Sequence, residues 1–593
     1  MRKIQDLNGP WRFQPDPYGE GDHEGFERPD WDDSQWFDVD VPCDFSTVLP
    51  DLDFYEGGGW YRRSLDVPEC MRGRCNLLRF EGVNHRCRVW LNGQLVGEHF
   101  DAYLPFEIRV DDSIEYGARN SLVVYADNTC HAEDVPGEQR GWRTFGGLVR
   151  SVALVSMSRL HLSHIATDAR ADGTLNLQAD VTNELNELAS TAIDVRLKPR
   201  ITRTGADVPL RAGESGPEIE GGGGALDITP GSTADFQSTT TFPDIQAWSP
   251  DSPTLYDLTV SLSHAGDVID ARTVTIGFRT IEARAGQLLL NGDPIYLTGF
   301  NRHEDSPCTA MAPDPELTRQ DLVSMKSAGS NFVRLCHYPH DPGELDLCDA
   351  LGLLVLDEIP LYWWGGKWDE EHYESKFAAA KRQVEKMVRR DVNHPCVAFW
   401  SVSNETSEKA PGVVEGNREL VKLVQGLDST RPAVHVSNHW TEVREFDADD
   451  VICINAYPAW GRMHKGGKGG FTLEDATAWW SDELEKLHEC YPDKPILIAE
   501  FGHPCLAGVK TGSLGEFSQC AALEAEFKAM HAPYVCGATV WCYADHPWPG
   551  GFSFMKYMTT STYGVVTRSR QPKRAYETMR RLFTAKRANT DAD

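Results

Sequence analysis

The second half of the chain limits the possible folds most. After "GFRTIEARAGQLLLNGDPIYLTGFNRHED", short apolar runs alternate with helical stretches. "NFVRLCH" is followed by the helical "PGELDLCDALG", "LLVLDE" by "ESKFAAAKRQVEKMVRRDVN", and "VAFWSVSNE" by "GNRELVKLVQGLD". "PAVHVS", "VICINAYP", the helical "DELEKLHECY", "ILIAEFG", the helical "QCAALEAEFKAMHA" and "VCGATVWCYAD" complete the series. Runs that are apolar on both faces read as buried parallel strands. Some eight strand–helix units over roughly 300 residues predict a (β/α)8 TIM barrel over 281–593.

The first 280 residues have a different texture. "GWYRRSLDV", "CNLLRFEGV", "RCRVWLNGQLVGEHF", "NSLVVYADN" and "RSVALVSM" alternate apolar and polar residues between turn signals, as in an antiparallel β-sandwich. Asn92-Gly93 predicts a two-residue hairpin. Residues 1–158 are expected to form a jelly-roll sandwich and 159–280 a smaller, immunoglobulin-like one. The stretch "GESGPEIEGGGGALD" within the latter reads as a loop.

Charge and cysteines narrow the partners. The 593 residues carry a formal net charge of -31, which argues against sequence-independent nucleic-acid binding and against docking on anionic membrane. The excess reads first as solvated surface; adaptation to high salt is the sharper reading. No apolar run reaches the roughly 18 residues that span a bilayer, and "MRKIQDLNGPWRF" has no apolar leader segment. The fifteen cysteines are scattered, with Cys336, Cys396, Cys453 and Cys542 in apolar runs. Reduced, buried thiols in a cytoplasmic protein are expected.

The predicted barrel strands end on polar residues that should converge on one mouth. These are Asn301 to Asp305, His337, Asp357 and Glu358, Asn404 and Glu405, Asn455 and Tyr457, Glu500, and Trp541 with Asp545. Asp357 and Asp545 are equally well read as caps of following helices. Glu405 and Glu500 are harder to read that way, since burying two facing carboxylates is costly without a function. Paired carboxylates across a sugar-sized cleft are the apparatus of glycoside hydrolysis, and their separation decides between retention and inversion. No HExxH-like metal spacing is present, so neither metal nor other cofactor is expected.

Many motifs fall in one order: "LNGPWRF", "GWYRR", "VWLNG", "GFRTIE", "GFNRHED", "VRLCHYP", "LDE", "NHPCVAFWSVSNE" and "AEFG". With the predicted domain order, the chain resembles glycoside hydrolase family 2 over nearly its whole length. Its layout is most similar to that of bacterial β-glucuronidases and compact β-galactosidases. The resemblance implies that Glu405 is the general acid/base, Glu500 the nucleophile and Asn404 the partner of the sugar 2-hydroxyl. It implies that Tyr457 steadies the nucleophile, that His337 and Asn455 line the sugar site, and that Trp541 forms its aromatic floor. His303 is a further candidate. On this scheme burial and the charge of Glu500 should raise the pKa of Glu405. The resemblance also implies a homo-oligomer, a dimer or tetramer.

Two positions depart from the pattern. β-Glucuronidases grip the substrate carboxylate with an Asn-x-Lys stretch, where this chain has Ser561, Thr562 and Tyr563. Lys556 or Arg143 could substitute. An aspartate that contacts the far side of the sugar in the family is matched by Gly141, with Glu138 nearby. The leading expectation is therefore a retaining exo-β-glycosidase on a galactose-like terminal sugar. The alternative is a β-glucuronidase or β-galacturonidase, and the remote one is a non-catalytic carbohydrate-binding protein. The loop "WGRMHKGGKGGFTLEDATAWW" reads as a surface loop, or else as a lid over the cleft.

Overall fold

The computed structural model describes residues 1–200, 216–365, 371–460, 471–548 and 559–590. Lys556 and residues 461–470 of the expected lid loop lie outside those residues, while the end of that stretch, from Leu473, is helix rather than loop, begun by a capping box of Thr472 and Asp475.

The N-terminal part is a sandwich of two antiparallel sheets. The larger runs Phe37–Val41, Gly9–Asp16, Gly58–Val67, Ala118–Asp127, Arg86–Leu91, Gln94–His99 from edge to edge. The smaller runs Lys3–Asp6, Val152–Met157, Cys75–Phe80, Phe106–Arg109. Between them lies a core that includes Trp11, Phe13, Tyr61 and Leu122. Asn92 and Gly93 both have positive φ, 53° and 78°, and join Leu91 to its partner Gln94, as an Asn-Gly hairpin requires.

A second sandwich follows, of three strands (Leu160–Ala169, Thr174–Asn183, Ser232–Thr241) against four (Ile219–Ile228, Ala189–Pro199, Tyr256–His264, Asp267–Ile276). Here the glycine-rich stretch corrects the sequence reading. Ile219–Ile228 is an edge strand paired with Ala189–Pro199, not a loop. A Cβ on Gly224 would lie 2.6 Å from the Phe236 ring, so glycine there permits close approach of the facing strand. Composition signals a loop because glycine weakens strands; cross-sheet contact outweighs that preference here.

The eight parallel strands Leu297–Arg302, Phe332–Leu335, Leu354–Glu358, Val397–Asn404, Ala433–Ser437, Ile452–Asn455, Ile496–Phe501 and Val535–Val540 form a closed barrel. Pairing of Leu297 with Gly537 joins the last strand to the first. The expected helices are present as Pro342–Leu351, Tyr373–Asp391, Val413–Leu427, Leu473–Cys490 and Glu516–Ala529. All fifteen cysteines are free thiols. No helix among the described residues is long and apolar enough to cross a membrane.

The first sandwich reaches the barrel mouth through residues 140–150. Arg150, 1% exposed, donates to Glu304 Oε2 (2.8 Å) and to the carbonyls of Pro339 (2.9 Å) and Tyr103 (2.8 Å). Tyr103 stacks on Tyr338 at 4.3 Å, and Trp142 packs 5.7 Å from His337 and 5.3 Å from Tyr362. The sandwich thus supplies part of the wall behind the site.

Candidate active site

Strand register aims the side chains at the mouth. Parallel pairing slips between Ser401 and Asn404, between Ile454 and Asn455, and between Ile498 and Phe501. Such slips turn a side chain that regular pleating would send elsewhere. Glu405 follows directly, with φ +49° and its N–H donating to the Val436 carbonyl (2.8 Å). A non-glycine residue there is strained by about 1–3 kcal/mol, a conformation kept where the surroundings enforce it.

Arg334 organises the floor. It lies on the second strand with no exposed side-chain surface. Nη1 donates to Glu500 Oε1 (2.6 Å) and Asn301 Oδ1 (3.1 Å). Nη2 donates to Asn404 Oδ1 (2.8 Å) and Glu358 Oε2 (2.8 Å), and Nε reaches Glu358 Oε2 (3.3 Å). Ser401 Oγ and His337 Nδ1 also meet Glu358, at 2.7 and 2.9 Å. One guanidinium therefore joins four strands, with each of its nitrogens engaged.

The two candidate carboxyls have different surroundings. Glu500 is 4% exposed and accepts from Arg334 and from the Tyr457 hydroxyl. Glu405 is half-buried; Asn455 Nδ2 donates to Oε1 (3.0 Å) and Trp363 Nε1 to Oε2 (3.0 Å). Asn455 Nδ2 also donates to Asn404 Oδ1 (3.1 Å). With Oδ1 taken twice, the Asn404 amide is fixed, and its buried Nδ2 has no partner. That leaves a donor free for a ligand.

Both carboxyls line a cavity of about 440 Å³, together with Tyr362, Trp363, Asn455, Tyr457, Trp541 and Ser561. This is ample for a sugar ring and part of its substituent. His337 and His303 stand behind Trp541, with rings 5.2 and 5.5 Å from it. His303 Nε2 is buried without a partner. Burial holds His337 down at about 4 and His303 well below the usual imidazole range, so both rings are neutral at ordinary pH. Of the residues expected from sequence, Arg143 is paired away from the site. Its Nη1 donates to Asp53 Oδ1 (2.8 Å) and its guanidinium sits 4.5 Å over Phe54, outside the cavity lining.

Gly141 faces the wall: a Cβ there would lie 2.6 Å from the Tyr362 hydroxyl and 3.3 Å from Trp548. Those rings occupy the space an aspartate would need, while Glu138 is exposed. Ser561 and Tyr563, at the departed uronate grip, line the cavity, and the Ser561 hydroxyl is buried without a partner. Asp357 and Asp545 cap no helix. Asp357 is wholly buried beside Asp391, and Asp545 accepts from Lys573 Nζ (2.7 Å) and the Gly564 N–H (2.9 Å).

Among the described residues two trios, the buried His303–Cys336–His337 and Asp349–His394–Cys396 with His394 partly exposed, bring metal-ligand atoms within 4.8 Å of one another. His394 Nδ1 is already engaged by Asp349 Oδ2 (2.6 Å).

Burial pushes the Glu500 carboxyl upward, from 4.5 to about 7; Arg334 opposes this and the charge of Glu405 adds to it. Arg334 cannot cancel the burial because it is shared with Glu358, whose carboxyl it and His337 hold below its ordinary value against burial. The native state therefore binds the Glu500 proton more tightly than the unfolded chain does. Stability falls as pH rises from about 4.5 through about 7, by about 3 kcal/mol. Glutamine at 500 cannot ionise. The melting temperature of Glu500→Gln minus that of the parent should climb across that window and level off above it. A difference independent of pH would contradict the burial argument.

Sequence reasoning passed over Arg334, Trp363 and Tyr362. A lone arginine inside "NFVRLCH" was the available signal, because a charge in an apolar strand needs buried partners. Nothing local marks Trp363.

Known proteins bear on this geometry. The family described as "Glycosyl hydrolases family 2, sugar binding domain" matches residues 4–158. "Glycosyl hydrolases family 2" matches 157–279, and "Glycosyl hydrolases family 2, TIM barrel domain" matches 281–587. The chain is 27% identical to a β-glucuronidase of Homo sapiens, covering 98% of this chain and 91% of that one. It superposes on the β-glucuronidase of an uncultured Clostridium sp. with a TM-score of 0.83 at 27% identity, covering 98% of each chain. A β-galacturonidase from Eisenbergiella tayi shares the fold, with a TM-score of 0.84 at 23% identity over 98% of this chain and 97% of that one.

Proposed function

From the premise that the chain belongs to glycosyl hydrolase family 2, and is thus a glycoside hydrolase, we propose that it removes a terminal β-linked uronic acid, glucuronic or galacturonic, with retention. The observation that carries the chemistry is that Glu405 and Glu500 line one cavity while Arg334, Asn404 and Asn455 tie them together. Glu500, steadied by Arg334 and Tyr457, attacks the anomeric carbon. Glu405 protonates the departing oxygen, then takes a proton from the water that releases the sugar. Asn404 Nδ2 donates to the 2-hydroxyl, and Trp541 packs beneath the ring with His303 and His337 against it.

The uronide reading is supported by the β-glucuronidases to which the chain is similar along 98% of its length. A neutral, galactose-like sugar is the second reading, favoured because the described cavity lining contains neither lysine nor arginine. We take 1–158, 159–280 and 281–593 as the functional units, a division supported by an apolar core centred in each, with Leu104, Val135, Trp248 and Leu255 of the first two packed into that of the barrel. A panel of 4-nitrophenyl β-glucuronide, β-galacturonide and β-galactoside tests the sugar. Uronide turnover with little galactoside turnover is expected, and the converse overturns the proposal. Proton NMR of the first-formed sugar should show the β anomer; the α anomer would exclude double displacement.

A further inference from the structure

Trp363 has three properties that packing alone does not demand. Its backbone lies at φ +52°, a region that bulky residues rarely enter. Its indole N–H donates to Glu405 Oε2 at 3.0 Å, and its side chain also lines the cavity. Strain of this kind persists where surrounding bonds enforce it, and here they are visible. The Trp363 N–H donates to the Asn404 carbonyl (3.0 Å), and the Asn404 N–H donates to the Leu361 carbonyl (2.9 Å). Tyr362 and Asn404 form a parallel bridge, and the Trp363 ring rests on Tyr362 at 4.7 Å. The segment after the third strand is thereby locked to the end of the fourth, which carries Glu405.

Resting on the role proposed for Glu405, we infer that Trp363 is a positioning residue that orients the Glu405 carboxyl for proton transfer to the leaving group. Asn455 holds Oε1 and Trp363 holds Oε2, so the carboxyl plane is fixed from both sides by neutral donors. Neutral donors orient the group while leaving it free to gain and lose a proton. A rotating carboxyl would present its proton to the glycosidic oxygen only part of the time, and misplacement is penalised steeply in such transfers.

The test is the dependence on leaving group. A 2,4-dinitrophenolate departs without a proton, whereas methoxide must be protonated as it leaves. Trp363→Phe keeps a ring on Tyr362 and lacks the N–H. On the sugar identified by the panel, kcat/KM for the methyl glycoside should fall about 10- to 100-fold further than for the dinitrophenyl glycoside, the range for a hydrogen bond to a charged group. In a Glu405→Ala background the same change should add no further split. Benzothienylalanine at 363 preserves shape without the N–H, and should reproduce the split even if phenylalanine disturbs folding. Equal losses on both substrates from the isostere overturn the inference. If Glu405→Gln itself shows no split, the role of Glu405 fails instead, and the two failures are told apart.

Discussion

Glu500→Ala should lower kcat/KM on nitrophenyl glycosides by about four orders of magnitude or more, as removal of a nucleophile does elsewhere. The carboxylate is a reacting atom group in the proposed scheme, and the described cavity lining offers no substitute on its strand. The other carboxyl in the described lining is Glu405, held on a different strand by Asn455 and Trp363. A small anion supplies a diagnostic. Azide added to Glu500→Ala enters the space of the missing carboxylate and yields the α-glycosyl azide. Azide added to Glu405→Ala attacks the glycosyl-enzyme from the opposite face and yields the β-azide. Residual activity above about one per cent, or the two azides interchanged, would reverse or remove the assignments of Glu405 and Glu500.

Arg334→Met is expected to have the next largest effect, and on two observables. Removing one partner of a buried ion pair while the other stays charged costs about 3–5 kcal/mol, and here Glu358 and Glu500 both lose their cation. The melting temperature should drop markedly. In activity the sign follows from the charge. Arg334 lowers the Glu500 pKa against burial, so without it that carboxyl moves further above about 7. Less of it is ionised at neutral pH, and the acidic limb of the kcat/KM profile should shift to higher pH. Arg334→Lys keeps a charge but not the fork that serves four strands. It should recover much of the pH position and little of the stability. An unchanged acidic limb in Arg334→Met would show that Glu500 is not governed by this guanidinium.

The legible parts of this molecule were those written in short-range pattern. Apolar runs ending in polar residues gave the barrel strands, and Asn92-Gly93 gave its hairpin. The quoted motifs, taken in order, pointed to the family, and Glu405 and Glu500 were visible as carboxylates that an apolar strand has no structural reason to carry. Three features were not legible. Ile219–Ile228 is a strand because Gly224 lets Phe236 approach, a contact across sheets. Arg143 binds Asp53 and covers Phe54, partners 90 and 89 positions away. Burial raises Glu500 in spite of Arg334, and the sharing of that guanidinium with Glu358 depends on three strands meeting.

Residue periodicity, together with motifs in family order, thus determined the architecture and the enzyme class, and the chemistry of strand ends singled out Glu405 and Glu500 as candidates, since each depends on neighbours a few positions apart. Tertiary structure alone decided that burial raises Glu500, how Trp363 and Asn455 hold Glu405, and why Gly141 has no room for an aspartate. Those properties arise from distances between strands remote in sequence and from the low-dielectric surroundings that their packing creates.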